Sequence, residues 1–171
     1  MSSQQDSLLQ RVQSSYARLA AVAQDLNGVS DDLGKAIQAL DNSLKKLNLG
    51  VTSWNTFCDD GPFPQDRRFL SKNIGYARIG SRWGIALSRS SGHAGANPDE
   101  NLDEEWLFND APRELRLESV EHIPAMLDKL IEAGEAAVDR VKEKTSEVRQ
   151  FAEALTVPKQ ASKPVQRNPQ S

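Results

Sequence analysis

At 171 residues the chain has the length of one domain, and a domain of that size buries roughly 70% of its unfolded surface with no disulfide or metal as a staple. Its one cysteine, Cys58, excludes an intrachain disulfide framework and fits a reducing compartment, while a net charge of −3 and a pI near 5.5 select no class of partner. No apolar run approaches the roughly 18 residues of a membrane span, and Met1 to Asp6 has no basic n-region, so the expectation is a cytoplasmic protein with no membrane partner.

The chain opens with a polar stretch, residues 1–5, expected to be disordered. From there apolar residues recur at steps of three and four: Leu9, Val12, Tyr16, Leu19, Ala23, Leu26, Val29, Leu33, Ile37, Leu40, Leu44 and Leu47. That spacing predicts a long heptad-patterned helix over 6–48, with a stutter between Val29 and Ile37 where consecutive steps of four occur. Asn27-Gly28 is a turn-type dipeptide. The apolar stripe runs through it, however, and one helical glycine costs only about 1 kcal/mol, so a continuous helix is expected. Gly50 is the expected left-handed residue after its end.

An antiparallel sheet of three to four strands is expected over 51–108. Val51 to Phe57 is β-branched and aromatic and predicts the first strand. Asp59 to Lys72, with Gly61, Pro62 and Pro64, reads as a long loop. The clearest signal is Ile74 to Ile79 and Arg82 to Ser88 joined by Gly80-Ser81, a two-residue connection suited to a type II′ hairpin turn. Its register would place Ile79 opposite Arg82, Arg78 opposite Trp83, Tyr76 opposite Ile85 and Ile74 opposite Leu87. One face then carries Ile74, Tyr76, Arg78, Trp83, Ile85 and Leu87 and packs on the helices, with Arg78 over Trp83 as a cation–π pair. The other face, with Gly75, Ala77, Gly84 and Ala86, lets something approach the backbone closely.

Ser90 to Asp103 is small and polar and reads as a mobile loop; Glu105 to Phe108 is the fourth candidate strand. Asp110-Ala111-Pro112 has the form of an N-cap with proline in the first turn, opening helices over 111–156 that kink or restart at Pro124. A second heptad seam follows through Leu127, Leu130, Gly134, Ala137, Val141, Val148, Phe151 and Leu155. Residues 157–171, with three prolines and no apolar pattern, are expected to be a disordered tail. The fold class is α+β: two long heptad-patterned helices, N- and C-terminal, flanking a small antiparallel sheet in one domain, 6–156.

Charge is unevenly spread. Between Pro64 and His93 six basic residues stand against Asp66 alone, and between Asp99 and Glu121 nine acids stand against Arg113 and Arg116. Two readings follow: the blocks neutralise each other across the fold, or the basic block is an anion-binding surface. In the second, Arg82 and the small-residue face form a floor for a flat anion, walled by Arg67, Arg68, Lys72 and Arg89.

Other chemistry finds little purchase. Cys58 has no histidine at a recognisable spacing, since His93 lies in a Gly/Ser-rich segment and His122 at a helix junction. Asp59-Asp60 and Asp99 to Glu105 lack the spacing of a metal site, and Gly75 and Gly80 are followed by neither Gly-Lys-Ser/Thr nor a helix. No catalytic residue, metal or cofactor is expected, the chain reads as no enzyme, and the acidic pI disfavours nucleic acid. The helix over 6–48 would be roughly 60 Å long against about 40 Å for a globule of this length, so its stripe must be covered by the second helix, by another copy, or by both. The leading expectation is a non-catalytic homodimer or higher oligomer assembled through Leu19, Leu26, Leu33, Ile37, Leu40 and Leu44, with a possible protein partner at the sheet. The alternative is a binder of a small phosphate-bearing or nucleotide-like anion on the basic hairpin.

Overall fold

The computed structural model describes residues 2–61, 67–95 and 101–156, with side chains from residue 6 onward. The expected tail at 157–171, and parts of both expected loops, lie outside the described residues. In chain order the elements are α1 (Ser2–Leu47), β1 (Ser53–Asp60), β2 (Arg68–Ile79), β3 (Arg82–His93), β4 (Leu102–Leu107), a 3-10 turn (Phe108–Asp110), α2 (Arg113–Ser119), a second 3-10 turn (Val120–His122) and α3 (Ile123–Thr156). The chain is α+β, with one four-stranded antiparallel sheet in the order β1-β2-β3-β4. It divides into two units, Met1–Gly134 and Glu135–Ser171. The described part of the second is the C-terminal stretch of α3, on which Val138, Val141, Val148, Phe151 and Leu155 are exposed.

The helix α1 is continuous through Gly28 and starts at Ser2, so residues 2–5 form its first turn rather than a disordered lead. It ends one residue before Asn48, which takes φ 49° and donates its amide to the Lys45 carbonyl at 3.1 Å. Asn48 therefore takes the left-handed position directly after the helix; Gly50, also left-handed at φ 63°, lies further along the turn.

The hairpin has the register expected from its turn, Ile79↔Arg82 through Ile74↔Leu87. Gly80 has φ 60° and Ser81 is not left-handed, as a type II′ turn requires. Pairing continues well beyond the expected ends, to Arg68↔His93, so residues 68–72 and 90–93 are strand rather than loop. The Ser/Gly-rich half of β3 owes this to position: it is flanked by β2 and β4, and two ladders hold a backbone that its side chains alone would not. Asp59 and Asp60 likewise belong to β1, which carries a bulge at Phe57 between Thr56 and Cys58.

One core joins the elements. Ile37 and Leu44 of α1 pack with Ile74, Tyr76, Ile85 and Leu87 of the hairpin, Phe108, Ala111 and Leu115 beyond β4, and Met126 and Leu130 of α3. Arg78, expected on this face, is exposed, because it sits next to the turn at the end of the strand. Trp83 stacks on Tyr76 with ring centroids 5.7 Å apart, and it is Arg89 that lies over an aromatic ring, 5.8 Å from that of Trp106. Pro112 itself caps α2 with no side-chain hydrogen bond; Asp110 has turned instead to Arg82. Pro124 is the second residue of α3, so the helix restarts there, where the missing N–H costs nothing.

Candidate functional site

Of the residues expected at an anion site, with Arg82 in the floor and Arg67, Arg68, Lys72 and Arg89 as walls, Lys72, Arg82 and Arg89 each meet an acid. Lys72 Nζ meets Glu118 at 2.5 Å, and this bond holds its ammonium above the usual lysine range. Arg89 donates through Nε and Nη2 to one oxygen of Glu104, at 3.1 and 2.5 Å. Arg82 pairs with Asp110 at 2.9 Å. Lys72, Arg82 and Arg89 are thus neutralised by acids of the acidic block, as the first reading of the charge pattern has it. Lys72 and Arg89 also stand directly opposite each other on β2 and β3, a like-charge encounter that each relieves with its own carboxylate. Arg67 is exposed with φ 56°, its carbonyl accepting the Ala94 amide at 2.7 Å; Arg68 begins β2, also exposed.

The small-residue face is occupied by the chain itself. A Cβ on Gly75 would fall 2.6 Å from the Trp54 ring, and one on Gly84 would fall 3.1 Å from both carboxylate oxygens of Asp41 and 3.2 Å from Leu107. Gly75, Ala77, Gly84 and Ala86 are all buried. Close approach to the backbone occurs there, but by Trp54, Leu107 and Asp41.

Asp41 is the polar residue that the sequence reading passed over. It lies buried on the core side of α1, accepts the Ile85 amide at 3.0 Å and pairs with Lys45 at 2.5 Å. It thereby caps an amide of β3 short of the point where β4 begins to pair, at Ala86. An acid on the apolar side of a helix was the available signal. Burial, then the Asp41 charge, pushes the Tyr76 phenol above its ordinary range. Beside Asp41 is a cleft of about 100 Å³ lined by Lys45, Ile85, Arg82, Asn109 and Asp110 among others. Its acids and bases balance, and it is smaller than the roughly 300–1,000 Å³ of a small-molecule site.

The titratable residues are similarly engaged. Cys58 donates its thiol to Asp60 at 3.3 Å, and burial followed by that bond pushes its pKa up, which disfavours the thiolate. His122 stacks on Phe57 at 4.8 Å, and His93 is exposed at the end of β3. Among the described residues no group of three or more His, Cys, Asp or Glu converges as metal ligands. No helix among them is long and apolar enough to cross a membrane.

The stripe on α1 divides in two. Its C-terminal half belongs to the body: Ser30, Gly34, Ile37, Asp41 and Leu44 are buried, and Leu33 and Leu40 pack against the core. Polar ties fix this half, with Arg113 Nη2 on Asn27 at 2.7 Å, Arg116 Nη2 on Ser30 at 3.2 Å and Asn109 Nδ2 on the Gly34 carbonyl at 3.2 Å. Of the six residues expected to mediate assembly, Ile37 and Leu44 are therefore core, Leu33 and Leu40 are half-buried against it, and Leu19 and Leu26 are exposed. Residues 6–29 are exposed throughout, and Leu8, Leu9, Val12, Tyr16, Leu19, Val22, Leu26 and Val29 keep 44% to 74% of their surface in solvent.

At 3.6 residues per turn those eight side chains lie on the same side of the helix as Ile37 and Leu44. The surface that builds the core downstream thus continues bare upstream. The fold and this surface define an α+β body with a helical arm whose apolar side is uncovered. Compared with known proteins, the chain matches no family model, and no curated protein or solved structure is significantly similar to it.

Proposed function

We propose that the chain is a non-catalytic assembly module that associates with further copies of itself through the arm of α1, residues 6–29. One observation carries this reading: eight large apolar side chains stand exposed on the side of α1 that elsewhere forms the core. Burying a Leu or Val fully removes up to about 120 Å² of apolar surface, so side chains left about two-thirds exposed offer about 75 Å² each. Eight give about 600 Å² per copy and about 1,200 Å² for a pair, the lower edge of a stable specific interface. The charged residues of the arm are Asp6, Arg11, Arg18 and Asp25, which sum to no net charge, so no net repulsion opposes a second arm. The occupied floor and the ion pairs of Lys72, Arg82 and Arg89 weigh against an anion site on the hairpin.

Light scattering tests the reading. The expected mass is a multiple of 18.9 kDa. Leu19→Glu with Leu26→Glu should return it to one chain without lowering the melting temperature of the body, since neither side chain belongs to the core. A mass near 18.9 kDa for the unsubstituted protein at micromolar concentration overturns the proposal.

A further inference from the structure

We infer that the arms pair antiparallel, with residue i of one copy facing residue 35 − i of the other, so that the crossing point lies between Ala17 and Arg18. This rests on the assembly reading above and adds the partner's direction and register. Three observations lead to it.

The first is steric. Ile37 and Leu44 are covered by the chain's own sheet on the same side of α1 that carries the bare stripe. Two helices packed parallel and in register by that side would run into two sheets after Val29 and would have to diverge. In the antiparallel register the partner's Asp6 comes opposite Val29, and the overlap ends where the body begins, with Ser30 the first buried residue.

The second is packing. With a sum of 35 the apolar positions meet in layers: Leu9 with the partner's Leu26, Val12 with the partner's Ala23, and Tyr16 with the partner's Leu19. Each layer occurs twice by symmetry, as a two-fold interface demands. The central positions of the stripe thus pair apolar with apolar, the small Ala23 meeting β-branched Val12, while Leu8, Val22 and Val29 at its edges come opposite the partner's Asn27, Gln13 and Asp6.

The third is charge. Arg11, Arg18 and Asp25 are seven residues apart along one flank of the stripe. Parallel in-register pairing puts this flank of the two copies on opposite sides of the interface, so these residues form no pairs with one another. Antiparallel pairing sets Arg11 near the partner's Asp25, twice, and leaves only the central Arg18 near its copy. The two sheets then lie at opposite ends of the paired helices, with the two Ile37 positions about 60 Å apart along the axis at 1.5 Å per residue. The assembly would thus present its sheets as two separated copies.

Disulfide trapping in a Cys58→Ser background tests the register under mild oxidation, read on a non-reducing gel beside light scattering. Leu26→Cys alone should give no linked dimer, because the two thiols would lie about 25 Å apart along the axis. Leu9→Cys combined with Leu26→Cys should run as a linked dimer, and Ser14→Cys, off the stripe, should give none. A linked dimer from Leu26→Cys alone overturns the antiparallel arrangement while leaving self-association standing. Association in light scattering without linkage of the double variant overturns this register. A one-chain mass for the unsubstituted protein removes the assembly reading itself.

Discussion

Asp41 joins α1 to the sheet, and removing it gives the sharpest test of how the body is held. Asp41→Ala leaves the Ile85 amide without an acceptor in a buried strand, which costs about 1–3 kcal/mol. The ion pair with Lys45 adds little, roughly 0.5 kcal/mol, because the lysine side chain is 39% exposed. A total of about 1.5–3.5 kcal/mol is expected; Asp41→Asn, which keeps an acceptor oxygen, should cost less. Gly84→Ala approaches the same spot from the other side. Its Cβ would press on both Asp41 oxygens at 3.1 Å, and these cannot retreat without stretching their bonds to Ile85 and Lys45, at a cost of about 1–2 kcal/mol. With alanine at both positions most of that clash is gone, so a double-mutant cycle should show a coupling of about 1 kcal/mol in favour of the double variant. Urea unfolding followed by tryptophan fluorescence measures this directly, since Trp54, Trp83 and Trp106 all lie in the sheet. Equal costs for Gly84→Ala in both backgrounds, or a cost under about 0.5 kcal/mol for Asp41→Ala, would refute the account.

Gly75→Ala should be far more damaging. Its Cβ would fall 2.2 Å from the Ser53 carbonyl oxygen and 2.6 Å from the Trp54 ring, so β1 must shift, and a loss of about 3 kcal/mol or more is expected in the same assay. A neutral result would mean β1 is not seated on β2 as described. Arg78→Glu, by contrast, should change stability by no more than about 0.5 kcal/mol in thermal melts, since Arg78 is exposed beside the turn. A loss of several kcal/mol there would place its side chain in the core.

Much of the fold was legible because its signals are local. The Gly80-Ser81 connection, flanked by alternating apolar residues, sets the hairpin register within a few residues of chain. The three–four spacing from Leu9 to Leu47 carries a single helix past Gly28, and Pro124 marks a restart that its own missing N–H imposes. The strand ends were misread for the opposite reason. Nothing in Ser90 to His93 favours a strand, and only the neighbouring ladders of β2 and β4 make it one. The charge blocks could be counted from residue types alone, and their mutual neutralisation was one of two available readings. Which acid takes which base was not legible, because Lys72 and Glu118 are 46 residues apart and meet only through the packing of α2 against the sheet.

The sequence by itself determined the class of fold, the hairpin and a helix with one apolar side, since turn chemistry and periodicity act over a few residues. The tertiary structure alone decided where along that side the body stops. Leu26 and Ile37 are equivalent members of one stripe, and no local rule tells the exposed one from the buried one. The difference lies in Asn109, Arg113 and Arg116, which reach back from the 3-10 turn and α2 beyond β4 to grip α1 between Asn27 and Gly34. Ahead of that grip no strand or loop among the described residues covers α1, and its apolar side faces solvent.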